Sequence, residues 1–290
     1  LVSSFLQRMS WSSHKHISSS IPGIKGFNRR GLYRMKKFYE IYKDNDIVTP
    51  LVTQISWTNN LLILSGTNSI EEKEFYIKMC IKNNYSKREL DRQISSGYFH
   101  RYMLSDGKAN QSLSKTMGEE DYPNTKILDT YSLEFLDLPN NYSEKDLKKA
   151  IISNMRDFIL EIGNDFSFVG EEYKVQVGNE DFYIDLLFYN RTLSCLVAFE
   201  LKIGKFKPEY ISKMDFYLEA LDRQEKKKNE NPSVGVILCA SKDVQVVEYA
   251  MSRSMSPTMV SQYTLKLIDK KLLENKLKEI TNIVEENNNK

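Results

Sequence analysis

Hydrophobic and polar positions follow two different periods along this chain. In "FNRRGLYRMKKFYEIYK", residues 27–43, Leu32, Met35, Phe38 with Tyr39, and Tyr42 recur at helical spacing. Arg29, Arg30, Arg34, Lys36 and Lys37 occupy the other faces of that basic helix. Ser69 followed by Glu72, and Ser86 followed by Glu89, fit the capping box, in which the hydroxyl accepts from the amide three residues on and the carboxylate accepts from the amide of the capping residue. Short helices between Asn, Ser and Gly turns predict a helix-turn-helix-like module over residues 1–104, with a plain helical bundle as the alternative. The stretch "SDGKANQSLSKTMGEEDYPNT" is polar and aperiodic, so residues 105–130 are read as a linker. Ser143 and Asp146 open a further helix that runs to about Ile162 along Leu147, Ile151, Met155 and Phe158, with Gly163 as its stop.

Beyond Gly163 the period changes to that of strands. "YKVQV" (173–177), "FYIDLLFY" (182–189) and "LSCLVAFELK" (193–202) are β-rich runs joined by the short turns "GNED" and "NRT". A helix follows from Lys207, with Pro208 in its first turn. "SVGVILCA" (233–240) is the continuous apolar run of a strand buried on both faces. Another helix over about 242–253 leads to a last strand near "MVSQYTL", and the tail from Lys266 is helical. The order α-β-β-β-α-β-α-β predicts an α/β domain, a mixed sheet with helices on its faces, over residues 131–275, and a tail over 276–290.

Composition narrows the classes. The chain has 290 residues, and its 28% charged content leaves ample apolar material for two cores. No window approaches 18 uncharged apolar residues, so a membrane span is not expected. The chain starts at Leu1 rather than Met, which reads as a missing natural start, and "LVSSFLQRMSWSS" is too short and interrupted for a signal peptide. Cys80, Cys195 and Cys239 lie far apart with no C-x-x-C pair, which points to a reducing, cytoplasmic setting and away from structural zinc. His14, His16 and His100 form no ligand cluster. Residues 1–110 carry 17 Lys and Arg against 9 Asp and Glu, and the remainder 24 against 30. A basic first half suits a polyanion, although ordinary solvated helix faces give the same excess.

Side-chain alternation singles out one constellation. Asp185 points to the face opposite Ile184, Leu186 and Phe188, while Leu196, Ala198, Glu200 and Lys202 share a face of the next strand. A hairpin therefore sets Asp185 near Glu200 and Lys202. Two close carboxylates in apolar surroundings repel each other, and a divalent cation resolves that cost. Mg²⁺ suits one or two carboxylates, a carbonyl such as that of Leu201, and waters; Mn²⁺ is its substitute. The alternative is a surface ion pair at a strand end.

Asp185 followed after fourteen residues by "ELK" resembles the D…E-x-K signature of the PDDEXK nuclease superfamily. The stretch from "FVGEEYKVQV" to "SKMDFYL" is similar to the nuclease domain of the bacterial YhcG family. "GFNRRGLYRMKKFYEIY", "SWTNNLLILS" and "NYSKRELDRQISSGYF" resemble that family's N-terminal, winged-helix-like domain. The likeness runs from about Gly26 to Leu265, and it suggests that a short N-terminal helical segment of the family is absent. It implies a restriction-endonuclease-like core (α-β-β-β-α-β) preceded by a mainly helical domain. Asp185 and Glu200 would be metal ligands, Lys202 the catalytic lysine, and Glu161 a further acidic residue at the end of the preceding helix. Lys213 and Tyr217 resemble a Gln-hydrophobic-x-x-Tyr element with Lys in place of Gln; packing on the sheet is the alternative for Tyr217. With Arg29, Arg30, Arg34, Lys36, Lys37, Lys87 and Arg88 they are the expected DNA contacts. The implied function is Mg²⁺-dependent DNA endonuclease; the alternatives are an inactive nucleic-acid-binding module or a protein-interaction factor on the same fold. DNA is the implied partner, homo-oligomerisation is left open, and no membrane is involved.

Overall fold

The structure is a computed structural model and describes residue 20 and residues 28–45, 48–105, 127–254 and 256–288. It divides into two compact units, Leu1–Ser95 and Ser96–Lys290. The expected linker falls mostly on residues 106–126, outside the described residues.

The first unit is built from α1 (Arg29–Tyr42), α2 (Val48–Leu51), α3 (Trp57–Gly66), α4 (Ile70–Asn83) and α5 (Lys87–Ser95). No strand lies among its described residues, so the region is helical as expected, without a β wing among them. Caps set the boundaries. The Asn28 side chain accepts from the Gly31 amide at 2.8 Å, and Ser56 accepts from Asn59. Ser86 and Glu89 form the reciprocal box, at 3.3 and 2.7 Å. Ser69 caps α4, but the Glu72 carboxylate turns to the Asn68 amide instead of closing the box. Leu32, Tyr42, Ile63, Leu64, Tyr76, Ile77 and Leu90 form the buried side of these helices.

The second unit holds α6 (Tyr98–Leu104), β1 (Thr130–Ser132), α7 (Glu144–Ser153), α8 (Met155–Ile162), β2 (Phe166–Val177), β3 (Glu180–Asn190) and β4 (Cys195–Lys205). Then come α9 (Glu209–Gln224), β5 (Val234–Ser241), α10 (Val244–Met251), β6 (Thr258–Thr264) and α11 (Lys270–Asn288). The strands make one mixed sheet in the order β1-β6-β5-β4-β3-β2. The hairpin pairs β2-β3 and β3-β4 are antiparallel, whereas β4-β5, β5-β6 and β1-β6 are parallel. Parallel pairing requires crossovers, and α9 and α10 provide them.

Three departures from the sequence pattern have local causes. The long helix after Ser143 is two helices, because Asn154 turns its side chain back to the Ala150 carbonyl at 3.0 Å and competes with the backbone ladder. Strand β2 begins at Phe166, well before "YKVQV", since its exposed edge residues and a bulge between Phe168 and Gly170 break the alternation. β1 is three residues long, too short for any period, and lies at the edge of the expected linker. Gly163 does end α8, at φ 124°, a conformation that suits glycine.

Helix α9 presses Ile211, Met214, Tyr217 and Leu221 against Leu187, Leu196, Ala198 and Ile237. The approach is close enough that a Cβ on Gly235 would strike the Met214 side chain. Phe158, Phe166, Phe188 and Phe199 form a separate aromatic cluster, tilted between Phe158 and Phe188 and edge-on in its other contacts. Cys80, Cys195 and Cys239 are free and buried. Among the described residues no helix is long and apolar enough to cross a membrane.

Candidate active site

The hairpin β3-β4 pairs Tyr189 with Leu196 and Leu187 with Ala198, which puts Asp185 on the face that carries Glu200 and Lys202. Its recorded ladder stops at Leu186 and Phe199. One step beyond, the strands diverge: the Leu201 amide donates to Asp185 Oδ2 at 3.0 Å. β4 is buried from Cys195 to Leu201, and solvent first reaches it at Lys202.

Lysines converge on the two carboxylates. Glu200 Oε1 accepts from Lys202 Nζ at 2.9 Å and from Lys213 Nζ, on α9, at 2.6 Å. Lys202 also reaches Glu144 at 3.3 Å and lies over the Tyr210 ring, 5.4 Å from its centre. Asp185 Oδ1 is 3.4 Å from Lys148 Nζ, which bonds Glu172 at 2.7 Å. Glu172 sits between the register pairs Glu171–Leu186 and Tyr173–Ile184, hence across from Asp185, and takes a left-handed φ of 46°. That conformation is strained for a residue with a side chain, which marks the spot as one the surroundings impose. Burial pulls the Lys202 ammonium down, but its bond to Glu200 and the charges of Glu200 and Glu144 outweigh it, and its pKa is pushed up to about 12. Lys213 and Lys148 shift in the same direction: burial opposes the charge, while Glu200 in one case and Glu172 with Asp185 in the other prevail.

The Glu200 side chain is only 3% exposed, yet its Oε2 finds no hydrogen-bond partner among the described residues. A buried, unpaired carboxylate oxygen is costly, and a hard divalent cation shared with Asp185 matches an all-oxygen donor set. No group of three or more His, Cys, Asp or Glu that would hold a metal occurs among the described residues. Mg²⁺ does not demand one, since it commonly takes one or two carboxylates and keeps waters.

The structure thus brings together Asp185, Glu200, Lys202 and Lys213. Tyr217, expected as a DNA contact, is buried: its hydroxyl donates to the Tyr183 carbonyl at 2.7 Å and Lys213 sits over its ring at 5.2 Å. It supports Lys213 and presents no surface for DNA. Glu161 is neither an exposed last-turn residue nor part of this cluster in its recorded contacts. It is fully buried, paired with Arg101, and accepts the Ser132 amide at 2.8 Å. Arg101 in turn bonds Ser96 and the Thr130 carbonyl. Nothing in the sequence pattern marks Glu144, Lys148 or Glu172 as neighbours of this site. Glu144 and Lys148 stand i, i+4 at a helix start, but spacing alone does not say that this helix end faces the β3-β4 gap.

In the first unit, Arg30, Arg34 and Lys37 of α1 and Lys87 of α5 line one surface groove, and Arg29 an adjoining depression. Lys36 instead pairs with Glu40 at 3.7 Å, and Arg88 is exposed outside the groove lining.

Residues 124–278, more than half of the chain, match the family model of the YhcG PDDEXK nuclease domain. The chain belongs to that family. Residues 3–101 match the DUF1016 N-terminal domain. YhcG of Escherichia coli (strain K12) is 34% identical over 224 residues, covering 77% of this chain. The chain spans 60% of the length of that curated relative. Among solved structures, a repair endonuclease from Pyrococcus abyssi is similar with TM-score 0.30 and 16% identity, over 45% of this chain and 50% of that one. An EndoMS complex with double-stranded DNA gives TM-score 0.30 and 15% identity, over 46% and 48%.

Proposed function

We propose that this YhcG-family chain is a divalent-cation-dependent DNA endonuclease. The observation that carries the reading is the convergence of Asp185, Glu200 and Lys202 where β3 and β4 part, with one buried oxygen of Glu200 left unpaired. Asp185, Glu200 and the Leu201 carbonyl would hold Mg²⁺, or Mn²⁺ in its place. A bound divalent cation supplies Lewis-acid activation of water and phosphate.

The chain's own groups do the rest. Lys202, held between Glu200 and Glu144, donates hydrogen bonds that orient the attacking water and offset charge building on the phosphate. Its ring contact with Tyr210 and its two carboxylate partners fix the ammonium before substrate arrives. Lys213 is 48% exposed, on the solvent side of Glu200, and meets a neighbouring phosphate oxygen. Lys148 offsets the charge of Asp185 at Oδ1, and the Leu201 amide holds Oδ2. The basic face of α1 with Lys87 docks on the DNA backbone, a salt-dependent contact without sequence information.

Separate Asp185→Ala and Lys202→Met variants, assayed on supercoiled DNA with Mg²⁺, test the assignment. Each is expected to lower the cleavage rate about a hundredfold or more. A wild-type rate in either variant places the chemistry elsewhere.

A further inference from the structure

The first unit carries a surface groove of about 700 Å³ lined from α1, α3 and the start of α5. Arg30, Arg34 and Lys37 lie at i, i+4 and i+7 along α1, a single stripe, and Lys87 joins them from α5. No Asp or Glu is among the described lining residues. The α3 contribution is of the opposite kind. Trp57, Leu61, Leu62 and Leu64 bring aromatic and aliphatic surface into the same groove. Trp57 is 42% exposed, and its ring is held edge-on by Phe38, with centroids 5.2 Å apart. A second depression shares Arg30 and Arg34 and adds Arg29 and Tyr33, which is 73% exposed.

Cations without acidic partners fit phosphates, and phosphates alone would explain a purely basic face. They do not explain the apolar half. In a duplex the base faces are sealed by stacking, so an exposed indole among leucines meets only sugar and phosphate there. An unpaired strand offers both surfaces at once: a charged backbone and open π-faces. An Asn28 side chain already committed to capping α1, and a Trp57 ring already fixed by Phe38, mean little ordering is needed on binding.

We propose that this groove binds an unpaired DNA strand, with phosphates on Arg30, Arg34, Lys37 and Lys87 and a base stacked on Trp57. The proposal rests on the DNA-endonuclease reading and adds the form of DNA that the first unit selects. Duplex with no open strand is then the poorer ligand, and nicked, frayed or branched DNA the better one.

The test reads binding apart from cleavage. The full chain carries Glu200→Gln, and chelator replaces metal. Trp11→Phe leaves Trp57 as the sole tryptophan, because the chain has only two. An oligothymidylate of roughly 16 nucleotides, the upper site size for one small binding module, is titrated beside a blunt duplex of equal length. The expected result is quenched emission from Trp57 and an affinity about tenfold or more above that for duplex. The dependence of log affinity on log salt should have a slope of about −3, as four phosphate contacts on a single strand predict. Arg34→Glu should weaken binding and make that slope shallower. Trp57→Leu keeps apolar volume and should bind about tenfold more weakly at an unchanged melting temperature, and Trp57→Phe should recover most of the loss. Duplex bound as tightly as the oligonucleotide, an unquenched Trp57, or a folded Trp57→Leu variant that binds like its parent would each overturn the proposal. None of these outcomes touches the metal-dependent cleavage assay, so the two readings fail separately.

Discussion

At the scale of single residues, charge partnership decides what each carboxylate does. Asp185 and Glu200 stand at the border of solvent with lysines on one side and an unpaired oxygen on the other. Glu161 is sealed against Arg101, with both groups essentially without exposure. Glu161→Gln removes a buried charge partner of Arg101, which costs about 3–5 kcal/mol. A lower denaturant midpoint, with cleavage per folded molecule retained, is the expected outcome; unchanged stability with lost cleavage would move Glu161 into the reaction. Lys148 competes with any cation for Asp185. Lys148→Met should therefore tighten Mn²⁺ binding by about tenfold, a fair share of a screened ion pair at that distance, as read by titration calorimetry. Weaker Mn²⁺ binding would mean that Lys148 chiefly positions Asp185. That Asp185, Glu200 and Lys202 share one face was legible in the sequence, because alternation within one hairpin fixes faces over a short span. Lys148 and Glu172 were not, because their meeting depends on where helix α7 comes to rest, 37 residues from Asp185 along the chain.

At the scale of elements, the site depends on how closely α9 lies on the sheet. Gly235 on β5 leaves no room for a side chain under Met214, and α9 also carries Lys213 and Tyr217. Gly235→Ala should cost about 1–3 kcal/mol through overpacking. Met214→Ala in the same chain should return part of that loss, so that the two changes are non-additive in denaturant unfolding. Additive losses would mean that α9 yields elsewhere. α1, β3, β4 and α9 were readable from their periodicity, and β5 from its continuous apolar run. The early half of β2 was hidden by exposed edge positions, and the break at Asn154 by a core stripe that continues in phase across it. In both places one side chain's local hydrogen bonds or a bulge outweighs the average pattern.

At the scale of the whole molecule, an excess of base in the first 110 residues and of acid in the rest follows the division into two units, one with the basic groove and one with the carboxylate cluster. Burial also raises the thiols of Cys80, Cys195 and Cys239 from an ordinary 9.0 to about 12. Between those values the folded chain keeps protons that the unfolded chain has lost, so stability falls as pH climbs from 9 toward 12. Replacing all three cysteines by alanine should flatten that alkaline decline in denaturant midpoint, and an equally steep decline would assign it to other groups. Charge, caps and period made the two-part organisation legible, whereas the apolar lining that gives the groove its second character appears only when α1 and α3 are packed. The central proposal is that Asp185 and Glu200 would hold a divalent cation on which DNA cleavage depends. It is tested most directly by incubating the full chain and its Glu200→Gln variant with linear, nicked and branched DNA, each in Mg²⁺ and in chelator. Cleavage by the parent chain in Mg²⁺ alone and none by the variant is expected; cleavage that survives the chelator or the substitution, or no cleavage by the parent chain on any substrate, would overturn the assignment.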